Sequence, residues 1–244
     1  MSMDRRAELA ENLAAVRARI AAACEAAGRS ESEVRLLAVT KTFPADDAAL
    51  LTDLGVADLA ENRDQEAAAK TGEVARLRPD AAVRWHMVGR LQRNKARSVA
   101  RWAAEVQTVD SPRLADALAK SVAAALDAGE RERPLDVLVQ ASLDDDPARG
   151  GCPLGEFPAL AERIAEKSDI FHLRGLMAVA PLGADPAPAF ARLAEAAGSL
   201  RRDHPEATEI SAGMSGDLEQ AIAHGSTCVR VGTALLGGRG LASP

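Results

Sequence analysis

One lysine closes an apolar run near the start of the chain. In RLLAVTK the residues before Lys41 read as a buried strand, and an ammonium at the end of such a strand is expected to be partly desolvated. Desolvation lowers its pKa toward the neutral amine, the form that attacks a carbonyl carbon. The same position also suits a lysine whose stem lies along apolar surface while its head sits in water. A second constellation lies near the other end of the sequence. Arg230 sits inside the apolar run CVRVG, and Gly232 and Thr233 open a short helical stretch, TALLGGR. Backbone N–H groups at such a turn bind phosphate, with glycine permitting close approach. Ser211, Gly213 and Ser215 precede it and either add hydroxyl and amide donors or serve as turn and cap residues. Asn62 follows another short run, where it either hydrogen-bonds a ligand or caps a helix.

These side chains act together only if the fold gathers their strand ends on one face. The opening segment carries Leu9, Leu13, Val16 and Ile20 at helical spacing and stops at Gly28, which predicts an amphipathic helix before the first strand. Eight short β-branched or apolar runs then alternate with helical patterns, at 34–39, 57–61, 83–89, 104–109, 135–142, 172–180, 208–212 and 228–232. Pro44, the pair Ser111 and Pro112, and Gly225 supply helix start and stop signals between them. The segment DDDPARGG, 144–151, reads as a polar loop without the spacing of a calcium loop. The rhythm predicts an α/β fold, a (β/α)8 TIM-type barrel with an extra N-terminal helix, spanning 1–244 as a single domain. An open doubly wound sheet is the alternative topology. In a barrel the first and last strands are neighbours, so Lys41 would face the phosphate cup and Arg230 across the mouth. An amine for an aldehyde, an anion cup and a nearby arginine together describe a pyridoxal 5′-phosphate site.

Composition narrows the function classes. Of 244 residues 47% are hydrophobic, enough for one large core. The 36 acidic residues exceed the 30 basic ones, and a net charge of −6 argues against nucleic acid as a partner. The basic stretch RLQRNKAR has no interleaved aromatics and reads as a solvated helix start. The opening MSMDRRAELAENL has no apolar signal core, and no later run could span a bilayer, so a cytoplasmic protein without membrane contact is expected. Cys24, Cys152 and Cys228 are widely spaced and suggest neither a disulfide framework nor a metal site. His86 reads as a satisfied core histidine.

Six motifs in order extend the reading: LLAVTK ending at Lys41, AENRDQE from Ala60, WHMVGRLQRNKAR from Trp85, QTVDS from Gln107, LRGLMAVAP from Leu173, and SAGMSGDLEQAIAHGSTCVRVGTALLG from Ser211. Over nearly the whole chain they resemble the pyridoxal phosphate homeostasis proteins, the YggS/PROSC family, which share the barrel of the alanine racemase N-terminal domain. The resemblance implies that Lys41 forms the imine, that Ser211, Arg230, Gly232 and Thr233 lie at the cofactor's phosphate and ring, and that Asn62 lines the pocket. It leaves Arg230 at either the ring nitrogen or the phosphate. Relatives usually carry glycine at Ala60, an aromatic at Arg63, methionine at Ala212 and, in many cases, lysine at Arg149.

The expected role is a non-catalytic carrier that holds the cofactor reversibly and hands it to apoenzymes, as a monomer because a closed barrel leaves no sheet edge. The alternative is a racemase-like enzyme. Related racemases pair their lysine with a tyrosine from a second domain, whereas this sequence has no tyrosine. A Schiff-base aldolase would need an acid or base beside Lys41, and Asp46 and Asp47 look instead like first-turn helix residues favoured by the dipole.

Overall fold

A computed structural model describes residues 3–144, 146 and 149–238. Among these, nine strands form in chain order: β1 (Arg35–Val39), β2 (Asp58–Glu61), β3 (Arg84–Met87), β4 (Glu105–Val109), β5 (Leu135–Ser142), β6 (Cys152–Pro153), β7 (Phe171–Met177), β8 (Glu209–Ser211) and β9 (Cys228–Val231). The sheet runs β4-β3-β2-β1-β9-β8-β7-β5, and β4 also pairs with β5. That last pairing closes eight parallel strands into a barrel and removes the open-sheet alternative. The short β6 pairs in parallel with the end of β5. All eight expected strands form. The largest boundary difference is at β7, which ends at Met177. The carbonyls of Ala178, Val179 and Ala180 accept from the guanidinium groups of Arg230 and Arg149 instead. Residues 145, 147 and 148 of the expected polar loop, and 239–244, lie outside the described residues.

The surrounding helices are α1 (Met3–Ala26), α2 (Ala45–Asp53), α3 (Asp64–Leu77), α4 (Ala96–Trp102), α5 (Pro112–Asp127), α6 (Phe157–Ala165), α7 (Ala187–Asp203), α8 (Leu218–Ala223) and α9 (Thr233–Leu236). Gly28 and Gly225 follow α1 and α8 with φ of 65° and 90°, the left-handed geometry expected of helix terminators. The apolar stripe of α1, Leu9, Leu13, Val16 and Ile20, is buried against Leu218, Ile222, Leu235 and Leu236. Its polar side fastens the end of the chain. Arg5 Nη2 donates to Leu236 O at 3.0 Å and Asn12 Nδ2 to Leu235 O at 3.1 Å, satisfying carbonyls that α9 leaves without helical donors. Arg5 also pairs with Asp47 at 2.7 Å, so that acid serves the α1–α2 contact.

The amino ends of the strands hold a charged cluster inside the barrel. Buried His86 lies between Asp58 Oδ1, at 2.8 Å from Nε2, and Glu105 Oε1, at 3.0 Å from Nδ1. Arg35 reaches Asp58, Glu105 and Glu209. Burial alone would disfavour each charge. For Asp58 the hydrogen bond from His86 and the nearby Arg35 outweigh it and lower the pKa from 3.8 to about 2. For His86 the two carboxylate hydrogen bonds outweigh burial and raise its pKa above 6.5. Glu209 goes the other way, raised by burial and the charge of Glu105.

The signs define a pH window. Asp58 contributes stability present above its ordinary 3.8 and lost as pH falls toward about 2. His86 contributes stability complete below its ordinary 6.5 and lost as pH rises through its raised value. Urea midpoints are therefore expected to fall on the alkaline side of 6.5, and His86→Gln should flatten that decline while lowering the acid-side midpoint. An equally steep decline in His86→Gln would assign the alkaline loss to other groups.

Candidate functional site

A cavity of about 560 Å³ opens at the carboxyl ends of the strands, within the usual size range of small-molecule sites. One wall is the turn after β1. Thr40 is buried, and the chain then bends through Lys41 and Thr42 before α2. Thr42 has φ of 67°, an unfavourable conformation for a β-branched residue, so the turn carrying Lys41 is held under backbone strain. The buried pair Glu61 and Lys70 holds it. Lys70 Nζ donates to Glu61 Oε1 at 2.5 Å and to Thr40 O at 2.8 Å, and Thr40 Oγ1 donates to Glu61 Oε1 at 2.6 Å.

Lys41 lines the cavity but is solvent-exposed. It is not buried as a strand-end residue would be, because it lies two residues beyond β1, in the turn. Opposite stand the turn Met214–Gly216 after β8 and the pair Gly232 and Thr233 after β9. Ser215 Oγ accepts from Ala234 N at 3.4 Å, tying the two turns together. The first amides of α9 have no acceptor within their own helix, so hydroxyls and N–H groups converge on this rim.

Arg230 lies deeper, 5% exposed, and still reaches the cavity. Its Nη1 donates to Ser211 O at 2.7 Å and Ser211 Oγ at 2.8 Å, and its Nη2 to Ala178 O at 2.8 Å. All three acceptors are neutral. Burial pulls the guanidinium's pKa down, and the charge of Asp217, which makes no hydrogen bond to it, opposes that pull only in part. Arg230 is thus a buried cation that lacks a paired anion in its own hydrogen-bond shell.

Asn62 lines the wall between Lys41 and Val88, and its Oδ1 is buried without a hydrogen-bond partner. Gly89 makes this placement possible. A Cβ there would come within 2.0 Å of Asn62 O, so only glycine lets the two backbones approach. Val39, Val88, Met177 and Val179 complete an apolar lining.

Of the six residues that the resemblance implies for the cofactor, the cavity brings together five, Lys41, Asn62, Arg230, Gly232 and Thr233, and it adds Ser215 from the donors read off the sequence. Ser211 is the sixth, and it is completely buried behind Arg230 rather than on the cavity wall. Met214 and Gly216, on the same loop as Ser215, were not foreseen, nor were the apolar lining residues, whose only signal is their position at strand ends. Nothing in the spacing of Glu61 and Lys70 foretold their role beneath Lys41. Of the positions that differ from relatives, Arg63 is exposed and pairs with Glu66, while Ala60 and Ala212 are buried. Arg149 bonds Asp144 at 2.6 Å and Ala180 O at 2.6 Å, a two-ended clasp suited to guanidinium.

Among the described residues no group of His, Cys, Asp and Glu could hold a metal, and no helix is long and apolar enough to cross a membrane. All three cysteines are buried and free.

Residues 12–240 match the alanine racemase N-terminal domain family. A pyridoxal phosphate homeostasis protein from Mycobacterium bovis is 51% identical over 250 residues, covering 99% of this chain and 96% of that protein. A crystal structure of an unknown protein from Bifidobacterium adolescentis superposes with a TM-score of 0.88 at 32% identity, covering 96% of this chain and 97% of the other. PipY of Synechococcus elongatus, solved with pyridoxal phosphate bound, gives a TM-score of 0.76 at 33% identity, covering 94% of this chain and 100% of PipY. With this identity sustained over nearly the full length, the chain belongs to the pyridoxal phosphate homeostasis protein family, built on the alanine racemase N-terminal domain.

Proposed function

We propose that this protein binds pyridoxal 5′-phosphate reversibly as an imine on Lys41 and serves intracellular homeostasis of that cofactor without turning over amino acids. The observation that carries this reading is one cavity with an amine on one wall, hydroxyl and amide donors on the other, and at its base a guanidinium hydrogen-bonded to neutral acceptors. Each fits a part of the cofactor. Lys41 supplies the amine for the aldehyde. Ser215, Gly232 and Thr233 supply donors for the phosphate. Asn62 Oδ1, left without a donor, suits a polar ligand group at the wall. When bound, the cofactor supplies an electron sink for carbanion chemistry.

Arg230 is assigned to the ring nitrogen, because it lies below the rim where the phosphate donors gather. A guanidinium only donates hydrogen bonds, so it favours an unprotonated pyridine and weakens that sink. The exposure of Lys41 suits exchange with water and with other amines, as release to apoenzymes requires. The family's name for its members, and the ligand in PipY, support the same reading. We place the activity in a single barrel unit over 1–244, working as a cytoplasmic monomer.

Titrating the purified protein with pyridoxal 5′-phosphate should give a visible imine band, and borohydride reduction should leave the reduced adduct on the peptide containing Lys41. No band, or an adduct on another lysine, would overturn the assignment. Solvent deuterium entering Cα of added amino acids at an enzymatic rate would favour a racemase-like reading, on the barrel this chain shares with alanine racemase.

Arg230→Met tests the ring assignment. Replacing a buried cation by an apolar side chain of similar length is often nearly neutral for stability, here offset by unsatisfied Ala178 O. The unloaded protein should lose less than about 2 kcal/mol, while cofactor affinity falls about 30-fold, roughly 2 kcal/mol. The imine band should also become pH-dependent as the ring nitrogen gains a proton. Unchanged affinity with an unchanged band would place Arg230 outside the contact.

A further inference from the structure

A single file of hydrogen bonds runs down the barrel interior from Arg230 to the charged cluster at the opposite end. Arg230 Nη1 donates to Ser211 Oγ at 2.8 Å, Ser211 Oγ donates to Gln107 Oε1 at 2.7 Å, and Gln107 Nε2 donates to Glu105 Oε1 at 2.7 Å. Ser211, Gln107 and Glu105 are all completely buried, so water cannot substitute for a missing link.

The chemistry of the groups fixes the direction of every bond. Glu105 is held ionised, its pKa lowered to about 2 because the hydrogen bond from His86 and the charges of His86 and Arg35 outweigh burial. A carboxylate only accepts, so the Gln107 amide must turn its NH2 toward Glu105 and its carbonyl toward Ser211. The hydroxyl of Ser211 must then donate to that carbonyl. Its remaining lone pairs face Arg230, which can only donate. An amide of the opposite orientation would set two acceptors, the Gln107 carbonyl and the Glu105 carboxylate, against each other. The file therefore holds the guanidinium by an acceptor that has no freedom to rotate. Arg230 keeps one fixed pose although no carboxylate among the described residues hydrogen-bonds to it.

We propose that Gln107 is a positioning residue for the cofactor site: through Ser211 it fixes the pose in which Arg230 presents its guanidinium to the cavity. The proposal rests on the assignment of Arg230 to a pyridoxal 5′-phosphate ring. It predicts that two residues outside the cavity wall control cofactor binding through Arg230, and that they act as one unit because each link fails if the other is broken.

The test uses Gln107→Leu and Ser211→Ala, singly and together, with pyridoxal 5′-phosphate as the probe. Three quantities are read: the dissociation constant, the pH profile of the imine band, and the denaturant midpoint without cofactor. Either single variant should weaken binding about tenfold and make the band pH-dependent, as Arg230→Met does, and the double variant should lose little beyond one single variant. Gln107→Glu keeps an acceptor toward Ser211 and, with one proton shared against Glu105, should recover most of the affinity and the flat profile. Wild-type affinity and a pH-independent band in Gln107→Leu would overturn the proposal, even if stability drops. Should Gln107→Leu fail to fold, Ser211→Ala removes the same link by deleting one oxygen and is read by the same two criteria. Absence of binding by the wild type would instead sink the function proposed above, so the two failures are distinguishable.

Discussion

Replacing Lys41 by alanine is expected to abolish the visible imine band and to weaken pyridoxal 5′-phosphate binding by at least about 100-fold, roughly 2.7 kcal/mol. Lys41 is the only lysine among the described residues lining the cavity. Lys70, whose Nζ bonds the carbonyl of Thr40 beside Lys41, is buried and already committed to Glu61, so it is not free to take the aldehyde in place of Lys41. The side chain of Lys41 is exposed and carries no packing load, so the denaturant midpoint of the variant should match the wild type. That pairing of outcomes separates loss of chemistry from loss of fold. Lys41→Arg refines it. A guanidinium keeps the positive charge but forms no stable imine, so residual phosphate-driven binding should survive without the band. A band that persists in Lys41→Ala would move the reactive amine elsewhere and remove the basis of the function proposed here.

The barrel was legible because its determinants are local. Alternating apolar runs and helical stretches with caps at Pro44, Ser111 and Gly225 specify elements one at a time, and parallel strands joined by right-handed crossovers leave few ways to assemble them. Closure itself depends on β4 meeting β5, where the register shifts between Val106 and Val109, a long-range fact no local pattern carries. The early end of β7 has the same character. Residues 178–180 have a strand-like pattern, yet their carbonyls are claimed by Arg230 and Arg149 from distant parts of the chain.

The site divides along the same line. Lys41, Gly232 and Thr233 follow directly from strand ends and a turn, and the cavity gathers them. The residue pattern alone could not distinguish Ser211 from Ser215, since both are small hydroxyl residues near the end of one strand. The fold separates them by burial, sending Ser211 inward to Gln107 and leaving Ser215 at the rim. Lys41 is exposed rather than buried because the strand ends at Val39, before the lysine is reached. Its support comes instead from a buried ion pair, Glu61 with Lys70, whose members are nine residues apart on a strand and the following helix.

That pair gives the largest expected effect on stability. Glu61 is completely buried and Lys70 is 8% exposed, so each charge depends on the other for compensation. Lys70→Met leaves the Glu61 carboxylate with Thr40 Oγ1 as its only donor among the described residues, while Oε2 already has none, and strips Thr40 O of a donor as well. Removing one member of a buried pair costs about 3–5 kcal/mol, because the remaining charge stays desolvated without a partner. Urea unfolding followed by tryptophan fluorescence should show a loss in that range. The double variant Lys70→Met with Glu61→Leu should recover most of it, since two apolar side chains of similar volume leave no uncompensated charge. Recovery of stability should not restore function. Thr40 directly precedes Lys41, and without Glu61 and Lys70 its hydroxyl and carbonyl no longer anchor the strained turn at Thr42, so cofactor affinity should stay about tenfold below the wild type in the stable double variant. A double variant with wild-type affinity would show that the pair supports the fold alone, and a single variant losing under about 1 kcal/mol would show that the charges are not mutually dependent.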